Sequence, residues 1–590
     1  MGHVMEAQQP REWRYLLWLA VLLGVFVVVP GMMSVTYLPK SLWAAVFVML
    51  GLAVLPPRRG DSHGLTAFGA VWLAYMGWAL LSLAWAEQPW VGLDRWVALS
   101  LPALAYLMAR RTRFWESRAF WVCVCVINAV VAAIGILQFV FPDSPAFFNQ
   151  FPGTQIPRTT MGQRNYSAMY FALTAPFLAW AFFAFRGWKS VLAFVAFSLA
   201  LFFIILSRMR GAWLGCAFGA ALAVSAGWPK LRRARLKSLA LFGMAVAGLI
   251  TASLVKQRYV QFFDLGDKTT IGSTLVTLFR DNERLVLWKD AWGTTPLWWG
   301  AGFGNYPLVV RPDCKVKMLD YELHNDYLQA LVDLGIPGVA LFAGAALLLL
   351  WAAWRQRREG LGLAAMACVA TLALIQVVMF TSQVMDALLW FAGVAAIANR
   401  SAPALAGGRL RLPVWARRTG NYAAVIWLVA MAAAIAVSID CDRKFRRFER
   451  DVIDVSNLNR ALAAMNQDAK LGLRELEYQM RGFQRDLVRR TRSILDGAAA
   501  SGRPPIAPLQ ALARERGERL GPELARLARE IMPRMWFCSH LIHARCRTGA
   551  DVSAQMGDFD SSELFCRRAL FWHPHDADML LRLAQCELER

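Results

Sequence analysis

No Cys-x-x-Cys pair occurs among the ten cysteines, and 590 residues contain only seven histidines. The spacing that structural zinc and dithiol redox sites require is therefore missing, and neither a metal site nor a cofactor is expected. Cys123, Cys125, Cys216 and Cys368 sit inside apolar runs and read as small apolar side chains. Cys538, Cys546, Cys566 and Cys586 sit in a polar C-terminal stretch, where disulfides are open to them if that stretch is exported. His540 and His543 beside Cys538 are spaced like metal ligands but read as lone surface histidines. Charged residues are equally scarce, 18% against 57% hydrophobic. A soluble chain of this length would divide into several cores separated by polar surface, whereas this one carries apolar blocks near the roughly 20 residues that cross a bilayer.

Those blocks lie near 14–31, 41–55, 65–85, 92–109, 119–141, 165–185, 189–206, 211–227, 238–254, 335–353, 361–380, 385–398 and 421–438. The fold expected is all-α, a polytopic membrane protein with about 12–13 transmembrane helices followed by a helical C-terminal domain. The first span lacks a small-x-small cleavage site before "PGMMSVTYLPK" and reads as a retained anchor. Orientation follows from basic loops. Arg11 and Arg14, "PPRRG" (56–60), "ARRTR" (109–113), "FRGWK" (185–189), "KLRRARLK" (230–237), "RQRR" (355–358) and "RLRLPVWARR" (409–418) all fall on one side, which is assigned to the cytoplasm. The net charge of +23 is spread over these loops and forms no single patch, so nucleic acid is not an expected partner. The domains expected are a transmembrane domain over 1–438, with a large outer loop at 255–334, and a tail over 439–590. In a cell with two membranes the loop and the tail are periplasmic and the chain is a multi-pass inner-membrane protein. Within the tail, Leu458, Leu462 and Met465 recur at helical spacing, "SGRPPIAPLQ" (501–510) breaks the pattern, and 556–590 resembles one tetratricopeptide-type hairpin or an ordinary helical tail.

The informative polar residues all fall at the outer side. Arg208 and Arg210 in "SRMRGAW" separate two apolar runs, and a guanidinium at the centre of a bilayer costs about 3 kcal/mol on insertion scales. Two arginines two residues apart can serve one site only if the chain bends between its helices, and Gly211 permits a bend. The following helix then points its free N–H groups outward, a natural anion site. The alternative reading is a pair of arginines that marks the membrane edge. A second outward helix start follows "RTTMGQRN", with Arg158, Gln163, Arg164 and Asn165 suited to a phosphate or a sugar. In the outer loop, Arg284, Leu287, Trp288 and Ala291 share a helical stripe ahead of the aromatic cluster Trp298, Trp299, Phe303 and Tyr306. Tryptophan and tyrosine settle at membrane interfaces and also stack on sugars. Finally "HNDYLQALVDLGIPG" places His324, Tyr327, Leu328, Leu331 and Gly335 at helical spacing on one face. His324 is the histidine at the outer edge, and an imidazole can accept a proton near neutrality.

Together "SRMRGAW", "RLVLWKDAWGTTPLWWGAGFGNY", "HNDYLQALVDLGIPG" and the "R..MGQRN" stretch resemble the O-antigen ligase family, over roughly residues 150–395. That superfamily includes O-antigen polymerases and bacterial O-linked oligosaccharyltransferases. The resemblance implies a fold like the helical membrane glycosyltransferase class and transfer of a glycan from undecaprenyl diphosphate to an acceptor outside the inner membrane. It implies that Arg210 and Arg284 hold the diphosphate, with Arg208 and Arg164 in the same pocket, and that His324 prepares the acceptor hydroxyl. Arg158, Gln163, Asn165, Trp288 and Tyr327 are the further substrate-binding candidates. The reaction implied is metal-independent and inverts the anomeric centre, and "GMMSVTYLPK" lacks the acids that metal-dependent relatives carry in their first outer loop.

The acceptor is open at this level. Lipid A–core makes the protein an O-antigen ligase, which is placed first. An exported protein makes it an O-linked oligosaccharyltransferase, toward which the long tail and "GQRN" lean, and a growing glycan makes it a polymerase. Two other classes stand against these: a lipid-glycan transporter, for which the nearest thing to a charged path is Asp94 and Arg95, and a membrane scaffold that binds partners through its tail.

Overall fold

The structure is a computed structural model that describes residues 13–29, 36–55, 66–141, 157–207, 209–254, 287–289, 291–292, 295–309, 323–379, 381, 384–400, 414–480, 483–501, 504–536 and 539–589. Every regular element among the described residues is a helix. The chain divides into two compact units, Met1–Pro30 with Val35–Ala433, and Gly31–Ser34 with Ala434–Arg590.

The first unit contains α1 (Arg14–Leu22), α2 (Tyr37–Val54), α3 (Ala67–Leu81), α4 (Pro89–Thr112), α5 (Arg118–Val140), α6 (Arg164–Ala184), α7 (Trp188–Ser207), α8 (Arg210–Arg233), α9 (Arg235–Leu254), α10 (Asp326–Arg355), α11 (Gly360–Val378), α12 (Met385–Ala398) and the first part of α13 (Val414–Gln467). Among the described residues ten helices are long and apolar enough to cross a membrane, and Arg14–Phe26 and Met385–Ala398 are apolar but shorter. Each apolar block in the sequence is helical over most of its described residues, as its hydropathy requires: a bilayer offers the backbone no water, so every N–H must find its partner within the segment. The ends are set locally. Thr66 caps α3 by accepting from Gly69 N (3.1 Å), Ser117 caps α5 by accepting from Phe120 N (3.2 Å), and Pro89 opens α4, where a missing N–H costs nothing.

α11 is the strut around which the candidate residues are arranged. α8 packs on it through a stripe of glycines at a spacing of four, the small-residue pattern that lets membrane helices approach closely. A Cβ built on Gly211 would lie 2.7 Å from Val378, one on Gly215 2.9 Å from the Thr371 carbonyl oxygen, and one on Gly219 2.6 Å from the Ala367 carbonyl oxygen. Thr371 Oγ1 donates to Gly215 O across the seam at 3.0 Å. As residue numbers rise in α8 they fall in α11, so the two are antiparallel and Arg210 lies at the C-terminal end of α11. α6 runs the same way as α8, since Trp180 near its end meets Gly360 at the start of α11. α10 does likewise, with Tyr327 Oη donating to Ala373 O at 3.4 Å. Three helices thus begin at one end of α11.

The second unit holds the remainder of α13, α14 (Ala469–Met480), α15 (Arg485–Ser501), α16 (Ile506–Arg526), α17 (Ser539–Gln555), α18 (Phe559–Trp572) and α19 (Ala577–Leu588). Leu458, Leu462 and Met465 do form one core, packed with Leu476, Leu487, Leu509 and Leu512. The stretch 556–590 contributes α18 and α19, with Asp558 and Asp576 as their caps. Cys546, Cys566 and Cys586 are buried free thiols, and burial pushes the first two up to about 12. His543 is not a surface histidine. Its Nε2 lies 2.9 Å from the Asp576 carboxylate, both side chains are buried, and its ring centroid is 3.9 Å from that of His573.

Burial raises the Asp576 pKa, but the His543 hydrogen bond and the Arg547 charge outweigh it and hold the carboxyl below its ordinary value. A depressed carboxylate stabilises the fold above its unfolded-state pKa, about 3.9, and that contribution is lost as the pH falls through the lower folded-state value. Amide exchange of residues 539–589 in the full chain is therefore expected to be faster in Asp576→Asn than in the parent at pH 7. The gap should close under strong acid. A gap that persists unchanged in acid would show that the charge is not what stabilises this corner.

Candidate active site

α6 is introduced by a single 3-10 turn, Thr159–Met161. Gln138, buried near the end of α5, accepts from Arg158 N (3.0 Å) and Thr159 N (2.8 Å), and Ser167 Oγ donates back to Arg158 O at 2.7 Å. These bonds fix the backbone that carries Arg158. Burial and the nearby Arg164 charge both disfavour the protonated side chain and hold the Arg158 pKa below its ordinary value. Gln163 is exposed, while Arg164 and Asn165 are half-buried. The same turn is fastened to α2 and to the 3-10 turn Leu23–Phe26 that follows α1: Thr160 Oγ1 donates to Val25 O (2.6 Å), which also accepts from Lys40 Nζ (3.0 Å), and Lys40 pairs with Asp386 at 2.6 Å. This ion pair is 3% and 8% exposed. Removing either partner would leave a buried charge uncompensated, which typically costs about 3–5 kcal/mol.

Between α7 and α8 the helix is broken, as the sequence suggested for the arginine turn. Trp213 Nε1 reaches back to Ile204 O at 2.9 Å and Ser207 Oγ accepts from Met209 N at 3.3 Å, so groups orphaned by the break are satisfied. Arg210 is the first residue of α8 and is half-buried. Arg208 lies outside the described residues, as does Arg284.

The "HNDYLQ" segment departs from the expected helical face. His324 precedes α10 and adopts a left-handed backbone, φ +50°. Asn325 is the cap, its Oδ1 accepting from Tyr327 N (3.1 Å) and Leu328 N (3.0 Å). The reason is competition: a cap that satisfies two orphan N–H groups needs an extended residue ahead of the helix, so the helical spacing of His324 with Tyr327 cannot place both on one helix. The flank is held by Leu323, whose N–H donates to Gln329 Oε1 (3.1 Å) and whose carbonyl accepts from Trp288 Nε1 (2.7 Å). Trp288 and Tyr327 thus each give their polar atom to a backbone carbonyl. Leu287 and Ala291 are buried with Tyr306, Leu323 and Val332, so this face of the stripe packs on protein.

α10 is itself interrupted at Gly335 (φ +69°, ψ −170°), where a Cβ would collide with Trp298 O at 2.3 Å. The carbonyls freed by this break are taken by the aromatic loop and by α3. Ala301 N donates to Val332 O (2.8 Å), Gly302 N to Asp333 O (2.9 Å) and Trp78 Nε1 to Leu334 O (2.9 Å). The Asp333 carboxylate accepts from Tyr306 N and Gln329 Nε2, both at 3.0 Å, with Arg95 as its neighbouring positive charge. Arg95, which the sequence offered with Asp94 as the nearest thing to a charged path, lies close to this buried acid.

Arg164, Arg210 and the His324–Asp326 segment therefore all sit where helices begin at the C-terminal end of α11. Sequence reading missed Lys40, Asp326, Thr381 and Asp386. A lone lysine and lone acids at the edges of apolar runs were the available signal. No curated protein matches the chain. Residues 192–343 match the family model described as O-Antigen ligase, a stretch that runs from α7 past the Gly335 break and includes Arg210 and His324, and over this stretch the chain is similar to that family.

Proposed function

We propose that the protein transfers a glycan from an undecaprenyl-diphosphate donor to an acceptor hydroxyl at the periplasmic face of the inner membrane, with lipid A–core as the acceptor. The observation that carries this reading is the meeting of three helix starts at one end of α11, two of them opened by an arginine, Arg164 and Arg210, and the third preceded by a histidine held ahead of its cap. Each helix start contributes roughly half a positive charge, and arginine forks match phosphate oxygens.

In this mechanism Arg210 and Arg284 hold the donor diphosphate, and Arg208, Arg158, Arg164, Gln163 and Asn165 extend the anion- and sugar-binding surface. The acceptor oxygen forms a bond to the anomeric carbon from the face opposite the diphosphate. The bond from that carbon to the diphosphate oxygen breaks, the electron pair leaves with undecaprenyl diphosphate, and the hydroxyl proton passes to His324. Positive charge aimed beforehand at the departing anion is the largest contribution such a site can make. An exported protein hydroxyl is the second acceptor considered, because the helical unit after Ala434 exceeds what transfer to a lipid calls for.

The test is reconstitution of the purified protein with a defined undecaprenyl-diphosphate glycan and one of three acceptor conditions: lipid A–core, a pilin-like protein, or none. Product on lipid A–core supports the ligase reading, and product only on the protein replaces it with the second. Donor movement across the bilayer without any transfer would make the protein a transporter.

A further inference from the structure

We propose that Asp326 is a positioning residue that sets the placement of His324 relative to Arg210 by clamping the start of α10 to the end of α11. The proposal rests on the glycan-transfer reading for its functional consequence, but its geometry stands apart from it. An acidic residue in the first turn of a helix ordinarily serves that helix, by interacting with its own free N–H groups. Here Asn325 already does so, accepting from Tyr327 N and Leu328 N. The Asp326 carboxylate is turned outward. It accepts from Thr381 N at 3.1 Å and from Thr381 Oγ1 at 2.7 Å. Thr381 is 4% exposed, and Gln376 Nε2 donates to the same hydroxyl at 3.3 Å. Two charge-assisted bonds to one buried residue make a joint with defined direction.

The other side of the joint leads to Arg210. Val378, the last residue of α11, is the residue on which Gly211 packs, so closely that a Cβ there would be 2.7 Å away. Four residues of chain, Val378 to Thr381, therefore connect the contact beneath Arg210 with the contact beneath His324. The left-handed backbone of His324 tolerates no slack, since it persists only where the flanks determine it. Release of the clamp would let the α10 start shift against α8 while both helices remain folded. A misplacement of about 1 Å between a base and the centre it serves costs on the order of 100-fold in rate.

Asp326→Asn, which turns an acceptor into a weaker one, and Thr381→Val, which removes the hydroxyl with little change of shape, are compared with Thr381→Ser. Both of the first two are expected to lower kcat about 100-fold with the donor KM changed less than about two-fold, and Thr381→Ser is expected to retain activity near the parent. Amide exchange of residues 323–330 supplies a readout that needs no turnover: it should accelerate in Asp326→Asn and Thr381→Val while α11 stays protected. Unchanged exchange in both variants overturns the clamp, as does parental kcat in both, or a loss that Thr381→Ser shares equally. If the parent transfers glycan to no acceptor while exchange still accelerates in the two variants, the glycan-transfer reading falls and the clamp stands.

Discussion

His324→Ala is expected to abolish measurable transfer, with a fall in kcat of about 10²- to 10⁴-fold, the range that general-base catalysis supplies, while donor binding is retained. The expectation follows from placement. The imidazole stands ahead of α10 in a strained backbone that Leu323, Asn325 and Trp288 hold in place. It is half-buried. Arg210→Ala should fall by about 10²- to 10³-fold, the loss seen when one preorganised donor is removed from a developing anion. Arg210→Lys should recover little of it, because an ammonium cannot form the paired contacts of a guanidinium. The two side chains serve different events, proton removal and departure of the leaving group. Because both events belong to the one displacement, the double variant should be little worse than the worse single one. Parental turnover in His324→Ala would remove the proposed base, and parental turnover in Arg210→Ala would remove the proposed anion site.

What could be read from the sequence divides along physical lines. Membrane helices are legible because the bilayer imposes one solution on an apolar run, and so the blocks around 119–141 and 361–380 reappear as α5 and α11. The turn at Met209 is legible because arginines do not sit unassisted in hydrocarbon. The backbone of His324 was not legible, because periodicity carries no information about which residue caps a helix, and Asn325 claimed that role. Nor were the long-range pairs: Lys40 with Asp386 is separated by 346 residues and Asp326 with Thr381 by 55, and no local pattern marks either. The glycine stripe of α8 was visible as Gly211, Gly215 and Gly219, but that it seats on α11 follows only from three dimensions. Small residues announce a close approach without naming the neighbour.

Arg545→Ala is expected to be the most damaging single change in the C-terminal unit, for a reason no surface ion pair shares. The Arg545 side chain is 2% exposed. Its Nη2 lies 2.8 Å from Asp442 Oδ1, its Nη1 lies 2.9 Å from Glu449 Oε2, and its guanidinium stands 5.0 Å from the Phe445 ring centroid. Asp442 is completely buried. Truncation takes the Arg545 cation away from that buried carboxylate and opens a cavity beside Phe445, a combination that costs about 3–5 kcal/mol. The neighbouring Cys546 thiol gives the readout in the full-length protein. It is free and fully buried, so it reacts with an alkylating reagent only when the unit opens. A loss of 3–5 kcal/mol predicts labelling of Cys546 faster by roughly 10²- to 10³-fold or more, since each 1.4 kcal/mol is a factor of ten. Replacement of both charged partners by apolar residues, Arg545→Met with Asp442→Leu, should restore much of the protection, because the cost lies in the unpaired charge more than in the missing pair. Acceleration below about ten-fold in Arg545→Ala would show that water reaches Asp442 and that the pair is far less important than its burial implies.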